Sequence, residues 1–99
     1  MIVMLLDGKN HFLGEQMLSR GTVNSTLITP REVFMEALKF HAVSVILVHN
    51  HPSGIPEPSG DDITVTRQIR RAGEMLGITL LDHIIIGDHC YTSMLEQGI

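Results

Sequence analysis

Val43 to Val48 is six residues with one polar member, Ser44, and it runs straight into His49-Asn50-His51-Pro52. A short apolar run of this kind reads as a central strand buried on both faces, so the chain must supply a sheet around it. The run also delivers His49 at the strand's C-terminal end. Two histidines two residues apart point to the same side of an extended backbone, so one cation could reach both imidazoles.

The flanking segments fill in that sheet. Residues 2–6 (Ile-Val-Met-Leu-Leu) form an apolar strand that stops at Asp7-Gly8. Residues 11–19 and 22–28, broken at Arg20-Gly21, read as two more strands, giving a three-strand meander. Thr29-Pro30-Arg31-Glu32 opens a helix: Thr29 caps, Pro30 takes the first helical position, and Glu32 completes a capping box. Val33, Phe34, Ala37, Leu38 and His41 form its packing stripe, with Glu32 and Glu36 on the opposite face in water. Ser59 starts a second helix over 60–77, with Val65, Ile69, Ala72 and Leu76 as its stripe and Gly77 at its end. Residues 78–86 read as a strand interrupted by Asp82-His83, and 90–94 as a last short strand. The expected fold class is mixed α/β, one sheet with two helices packed against it.

Ninety-nine residues make one domain, 1–99, with a core of limited size. The net charge is −4, and the densest basic group is only Arg67, Arg70 and Arg71. That argues against tight nucleic-acid binding. One cysteine, Cys90, allows neither an internal disulfide nor a cysteine-based zinc knuckle. No apolar stretch reaches the ~20 residues that cross a membrane. The start, MIVMLLDGKN, has no basic leader, so a soluble cytoplasmic protein is the expectation. The sequence leaves homo-oligomerisation open.

After His51 come Pro52, Gly54, Pro56 and Pro58, and then Ser59-Gly60-Asp61-Asp62. Two histidines and a carboxylate would make a hydrolytic ligand set with one position left for water. A simpler account competes with it. Acids in a helix's first turn complement the dipole, and Ser59 with Asp62 makes a capping box without any metal. Helical geometry does not choose between Asp61 and Asp62, because the two flank the apolar stripe almost symmetrically. Ser59 is most simply a cap. Asn50 points away from the histidines. Asp82-His83 reads as a structural pair satisfied by mutual or backbone hydrogen bonds. His11, His41 and His89 read as solvated, and Cys90 as a small strand residue. One tyrosine and three phenylalanines offer no stacking platform for bases.

Taken together, His49-x-His51, seven residues, Ser59, two residues and Asp62 match the H-x-H-x7-S-x2-D signature of the JAB/MPN metalloprotein family, the JAMM motif. The surrounding HNHPSG, SRGTVNS, TPREVFMEAL and LLDHIIIGD resemble its bacterial RadC-like branch over nearly the whole chain. The resemblance implies a cytidine-deaminase-like, MPN-type sheet and selects Asp62 over Asp61. It implies Zn2+ held by His49, His51 and Asp62 with water in the fourth position. It implies Ser59 as the oxyanion-stabilising catalytic residue, and a peptide or protein substrate cut at an amide or isopeptide bond. A DNA-repair association comes with the branch by label only.

One element of the family pattern is missing. The glutamate that serves as general base usually opens the strand corresponding to MIVMLLD, and its register falls just before Met1. The expectation is a chain lacking the family's N-terminal segment, with Glu15, on one strand face with Leu13 and Met17, as the best substitute and Glu57 in the ligand loop as another. The leading function is therefore a zinc-dependent JAMM-type hydrolase domain. A non-catalytic metal-binding or protein-interaction module competes with it. A two-histidine, one-carboxylate iron oxygenase shares the ligand composition but normally needs a longer barrel.

Overall fold

The structure is a computed structural model that describes residues 1–18 and 28–99. In chain order it contains β1 (Ile2–Leu6), β2 (Phe12–Met17), α1 (Pro30–Lys39), β3 (Ser44–Asn50), α2 (Gly60–Leu76), β4 (Thr79–Ile86) and β5 (Tyr91–Ser93). The strands form one sheet in the order β2-β1-β3-β4-β5. β1 is antiparallel to β2 and β3, β3 is parallel to β4, and β5 is antiparallel to β4. The expected mixed α/β architecture, one sheet and two helices, is what forms. The expected strand at 22–28 and its break at Arg20-Gly21 lie, but for Ile28, outside the described residues.

The β1–β2 turn is held locally. The Asp7 carboxylate accepts hydrogen bonds from the backbone N–H groups of Lys9 (2.8 Å) and His11 (2.9 Å). An aspartate tying its own turn in this way fixes the hairpin without help from the core.

Both helices lie on one face of the sheet. Val3, Leu5, Val45 and Leu47 alternate onto that face and pack with Val33, Phe34 and Ala37 of α1 and with Val65 and Ile69 of α2. The helices also meet each other. A Cβ on Gly73 of α2 would lie 3.0 Å from the Phe34 ring and 2.2 Å from the Ile78 carbonyl oxygen, so only glycine lets the two helices and β4 close together.

Four expectations need correction. The central strand is not buried on both faces: Ile46 and Val48, with Ile2, Met4 and Ile84 beside them, face away from the helices and are half-buried. Thr29 makes no side-chain cap to α1. The helix start is held instead by the Thr29 carbonyl, which accepts from Glu32 N–H at 3.2 Å. Leu38, His41 and Leu76 leave the packing stripes and are exposed, because each sits at a helix end where the face has turned past the sheet. Finally, Asp82-His83 does not interrupt β4.

The β4 strand is continuous through a bulge. Val45 pairs with Leu80 and Ile46 with Asp82, so Leu81 is the extra residue. One inserted residue inverts the alternation beyond it. Leu80 therefore faces the helices, and so do His83 and Ile85. Asp82 faces the other way. It accepts from the Ser93 hydroxyl (2.5 Å), the Leu95 N–H (3.0 Å) and the His83 N–H (2.7 Å), which ties the C-terminal segment to the sheet.

Candidate metal centre

The centre lies where the C-terminal end of β3 meets the N-terminus of α2. His49 follows Val45 and Leu47 in the alternation, so its ring points to the helix side of the sheet. His51 sits just past the strand, its N–H bonded to the Ile86 carbonyl at 3.0 Å. Asn50 between them is exposed, as its parity requires. The two imidazole centroids are 4.9 Å apart.

The third group is Asp62, and the capping box decides it. The Ser59 hydroxyl accepts from Asp62 N–H at 3.0 Å, and the Asp62 Oδ2 accepts from Ser59 N–H at 2.9 Å. This reciprocal pair folds the Asp62 side chain back over the helix start, against the sheet, where it is 2% exposed. Asp61, one residue earlier and ~100° around the helix, is in solvent. The capping box is thus compatible with a place for Asp62 in the candidate ligand set.

The metal-ligating atoms of His49, His51 and Asp62 all lie within 4.8 Å of one another. His51 Nε2 is 3.1 Å from Asp62 Oδ2, and His49 Nε2 is 3.5 Å from Asp62 Oδ1. On the far side of its ring, His51 Nδ1 is 2.9 Å from the Ile55 carbonyl oxygen. A carbonyl can only accept, so Nδ1 carries the proton. In neutral His51 the Nε2 lone pair then faces a carboxylate oxygen. Only a proton or a cation between them makes that contact favourable.

The Ile55 carbonyl is placed by a folded loop. Gly54, at φ +82°, accepts from Asp88 N–H at 2.7 Å through its carbonyl, which locks the 51–56 loop onto the β4–β5 turn. A Cβ on Gly87 would stand 2.4 Å from that carbonyl oxygen and 2.8 Å from Pro56 Cδ. Gly87→Ala is therefore expected to push the loop off the turn, at a cost of roughly 1–3 kcal/mol, and to weaken metal retention through His51. Thermal unfolding and chelator competition on the purified variant check both.

The sequence reads Asp82-His83 as a structural pair satisfied by mutual or backbone hydrogen bonds. The His83 N–H does bond to Asp82 Oδ1 at 2.7 Å, while the imidazole is buried beneath His49, its Nε2 2.8 Å from His49 Nδ1 and its Nδ1 2.7 Å from the Thr66 hydroxyl. The only signal in the sequence was a histidine in an apolar strand.

Burial and the neighbouring His49 push the His83 pKa down to about 4, and burial also lowers that of His49. His83 is thus neutral in the fold while an unfolded histidine titrates near 6.5. Its contribution to stability is complete above pH ~6.5 and is lost as pH falls towards ~4, roughly 3 kcal/mol in all. Denaturant unfolding of chelator-treated protein between pH 7 and 4 reads this loss, and His83→Phe should remove most of the slope.

Neither proposed substitute for the general base belongs to the cluster. Glu15 pairs with Met4. It therefore shares the sheet face opposite the triad, on the outermost strand. Glu57 is exposed in the loop. Among the described residues no glutamate joins the cluster. Arg70 donates to the Ile99 carbonyl oxygen, which leaves Arg67 and Arg71 as the exposed cations of that helix. No helix of the described residues is long and apolar enough to cross a membrane.

The whole chain, residues 1–99, matches the family model described as the RadC-like JAB domain. Among curated relatives, a UPF0758 protein of Pelobacter propionicus is 52% identical over 98 residues, 99% of this chain and 43% of the relative. A UPF0758 protein of Shouchella clausii is 50% identical over 97 residues, 98% of this chain and 42% of the relative. One of Geobacter sulfurreducens is 49% identical over 98 residues, again 43% of its length. The chain thus spans less than half the length of these relatives.

Proposed function

The chain belongs to the RadC-like JAB domain family, and on that premise we propose that it is a zinc-dependent hydrolase domain acting on amide or isopeptide bonds. The observation that carries the metal is His51. Its Nδ1 is committed to the Ile55 carbonyl, and its Nε2 is turned to the Asp62 carboxylate at 3.1 Å, with His49 Nε2 3.5 Å from the same carboxylate. Two imidazoles and one carboxylate suit zinc and leave a tetrahedral position unfilled by protein.

Bound zinc would supply Lewis acidity and bring the pKa of a coordinated water near 7. The chain's own residues do the rest. His49 and His51 present Nε2 donors, and Asp62 supplies the negative charge that holds a divalent ion. Ser59 Oγ accepts from Asp62 N–H, so its own proton is available to a developing oxyanion beside the positive end of α2.

The remaining part of the proposal is a general base, and the β1–β3 register supports an upstream position for it. Ile2 lies opposite Val48 and Val3 opposite Leu47. Continued upstream, the position two residues before Met1 would stand opposite His51, on the same sheet face as Val3 and the triad. A glutamate there would fit the role the family gives it.

Metal analysis of the purified chain comes first. About one zinc per chain, lost on chelation and regained on addition, supports the centre. A chain that retains no metal, or that retains only redox-active iron, sinks the zinc reading. The substrate of such a domain would be a peptide or protein. An acidic chain with two exposed arginines on α2 gives DNA little to hold, so titration at physiological salt should show at most weak binding.

A further inference from the structure

A buried hydrogen-bond chain runs from the backbone of α2 to the inner nitrogen of His49. The Thr66 hydroxyl is 2.7 Å from the Asp62 carbonyl oxygen and 2.7 Å from His83 Nδ1. His83 Nε2 is 2.8 Å from His49 Nδ1. Thr66 and His83 are each 1% exposed, so water does not complete these contacts.

The proton positions along this chain follow from one fixed end. A backbone carbonyl has no proton to give, so the Thr66 hydroxyl donates to Asp62. The hydroxyl has one proton, so towards His83 it can only accept, and His83 Nδ1 must be the protonated nitrogen. In neutral His83 the other nitrogen, Nε2, is then an acceptor. His49 Nδ1 must therefore donate to it. That leaves His49 Nε2 without a proton and turned towards Asp62. The opposite assignment, with Thr66 donating to His83 and His83 to His49, would satisfy both histidine links but leave two acceptors, the Thr66 hydroxyl oxygen and the Asp62 carbonyl oxygen, 2.7 Å apart, inside a region where unmet hydrogen bonds are costly.

We propose that Thr66 and His83 are positioning residues for the metal centre: together they hold His49 as the Nδ1–H tautomer and so deliver its Nε2 lone pair to the cation. His51 receives the same tautomer from the Ile55 carbonyl. The two ligand histidines are thus set by different devices, one from the ligand loop and one from the interior of the domain. The His49 device shares a peptide with the third ligand, because the carbonyl that anchors it belongs to Asp62. A shift of the start of α2 would disturb the Asp62 carboxylate and the His49 tautomer together.

The inference rests on the reading of the triad as a metal site, and the experiment separates the two. Long-range proton–nitrogen NMR on chelated wild-type protein at neutral pH reads the tautomers directly. The expected result is protonated Nδ1 on His49, His51 and His83. Protonated Nε2 on His49 or His83 overturns the proposal whatever the metal does. Zinc affinity is then measured by chelator competition for wild type, Thr66→Val, Thr66→Ser and His83→Phe. Loss of a partner that orients a metal-bound histidine typically costs about 10–100-fold in affinity. His83→Phe should fall in that range, and Thr66→Val should fall with it while Thr66→Ser stays near wild type. Thr66→Val should also mix the His83 and His49 tautomers, which a merely structural threonine would not do. It carries the test should His83→Phe fail to fold. Wild-type affinity and unchanged tautomers in Thr66→Val overturn the proposal. Wild-type protein that binds no zinc sinks the metal reading first, and the proposal with it.

Discussion

Asp62→Ala should abolish zinc retention and destabilise the domain at the same time. The carboxylate is the only acid in the ligand set, and its removal leaves two imidazole nitrogens facing a gap. The loss of affinity should exceed the ~10–100-fold that follows from changing a residue behind a ligand. The same carboxylate accepts the Ser59 N–H at 2.9 Å, so the helix also loses half of its capping box, worth about 1–2 kcal/mol. Two comparison variants separate the effects. Asp62→Asn keeps an oxygen for the cap but not the charge, and should lose zinc with less loss of stability. His51→Ala removes the loop contact to Ile55, the contact to Asp62 and the ring contact to His49 but leaves the capping box, so it should lose zinc and keep the helix content. Metal analysis, circular dichroism and thermal unfolding on the three proteins settle the comparison. Full zinc retention by Asp62→Ala would mean that Asp62 caps the helix and is not a metal ligand.

A glutamate placed two residues ahead of Met1 should raise amide hydrolysis by the zinc-loaded domain by about 10²–10⁴-fold, the usual worth of a general base. The prediction comes from the sheet. Val3 and Leu5 face the helices, so alternation puts that upstream position on the triad's face and opposite His51. The comparison is a chain carrying glutamate there against one carrying glutamine, both zinc-loaded, on a panel of peptide and isopeptide substrates. Glu15→Gln and Glu57→Gln should leave the rates unchanged in either background. Equal rates with glutamate and glutamine would remove the upstream position from the mechanism. A drop on Glu57→Gln would assign the base to the ligand loop instead.

Much of this domain is local enough to be legible in sequence. The apolar run 43–48, the Ser59–Asp62 box and the Gly77 stop locate β3 and α2 closely, and Asp7-Gly8 marks the β1–β2 turn. Period and capping are properties of neighbouring residues, so short windows carry them. The same holds for the two histidines, whose common direction follows from a spacing of two on an extended strand.

Other features depend on pairings that no window contains. Helical spacing left Asp61 and Asp62 equivalent; the capping box with Ser59 folds Asp62 over the helix start, where His49 and His51 of a distant segment meet it, and leaves Asp61 exposed. Glu15 has the right composition for a base, yet its pairing with Met4 turns it to the wrong face of the sheet. His83 shows the difference most sharply. Regular alternation from Leu80 would have sent its ring away from the helices. The bulge at Leu81 reverses the parity and brings it under His49 and against Thr66. Sequence determined which side chains could bind a cation. Register between distant strands decided which of them meet and, through Thr66 and His83, which nitrogen of His49 is left to bind, because a one-residue shift in a period of two inverts every side chain beyond it.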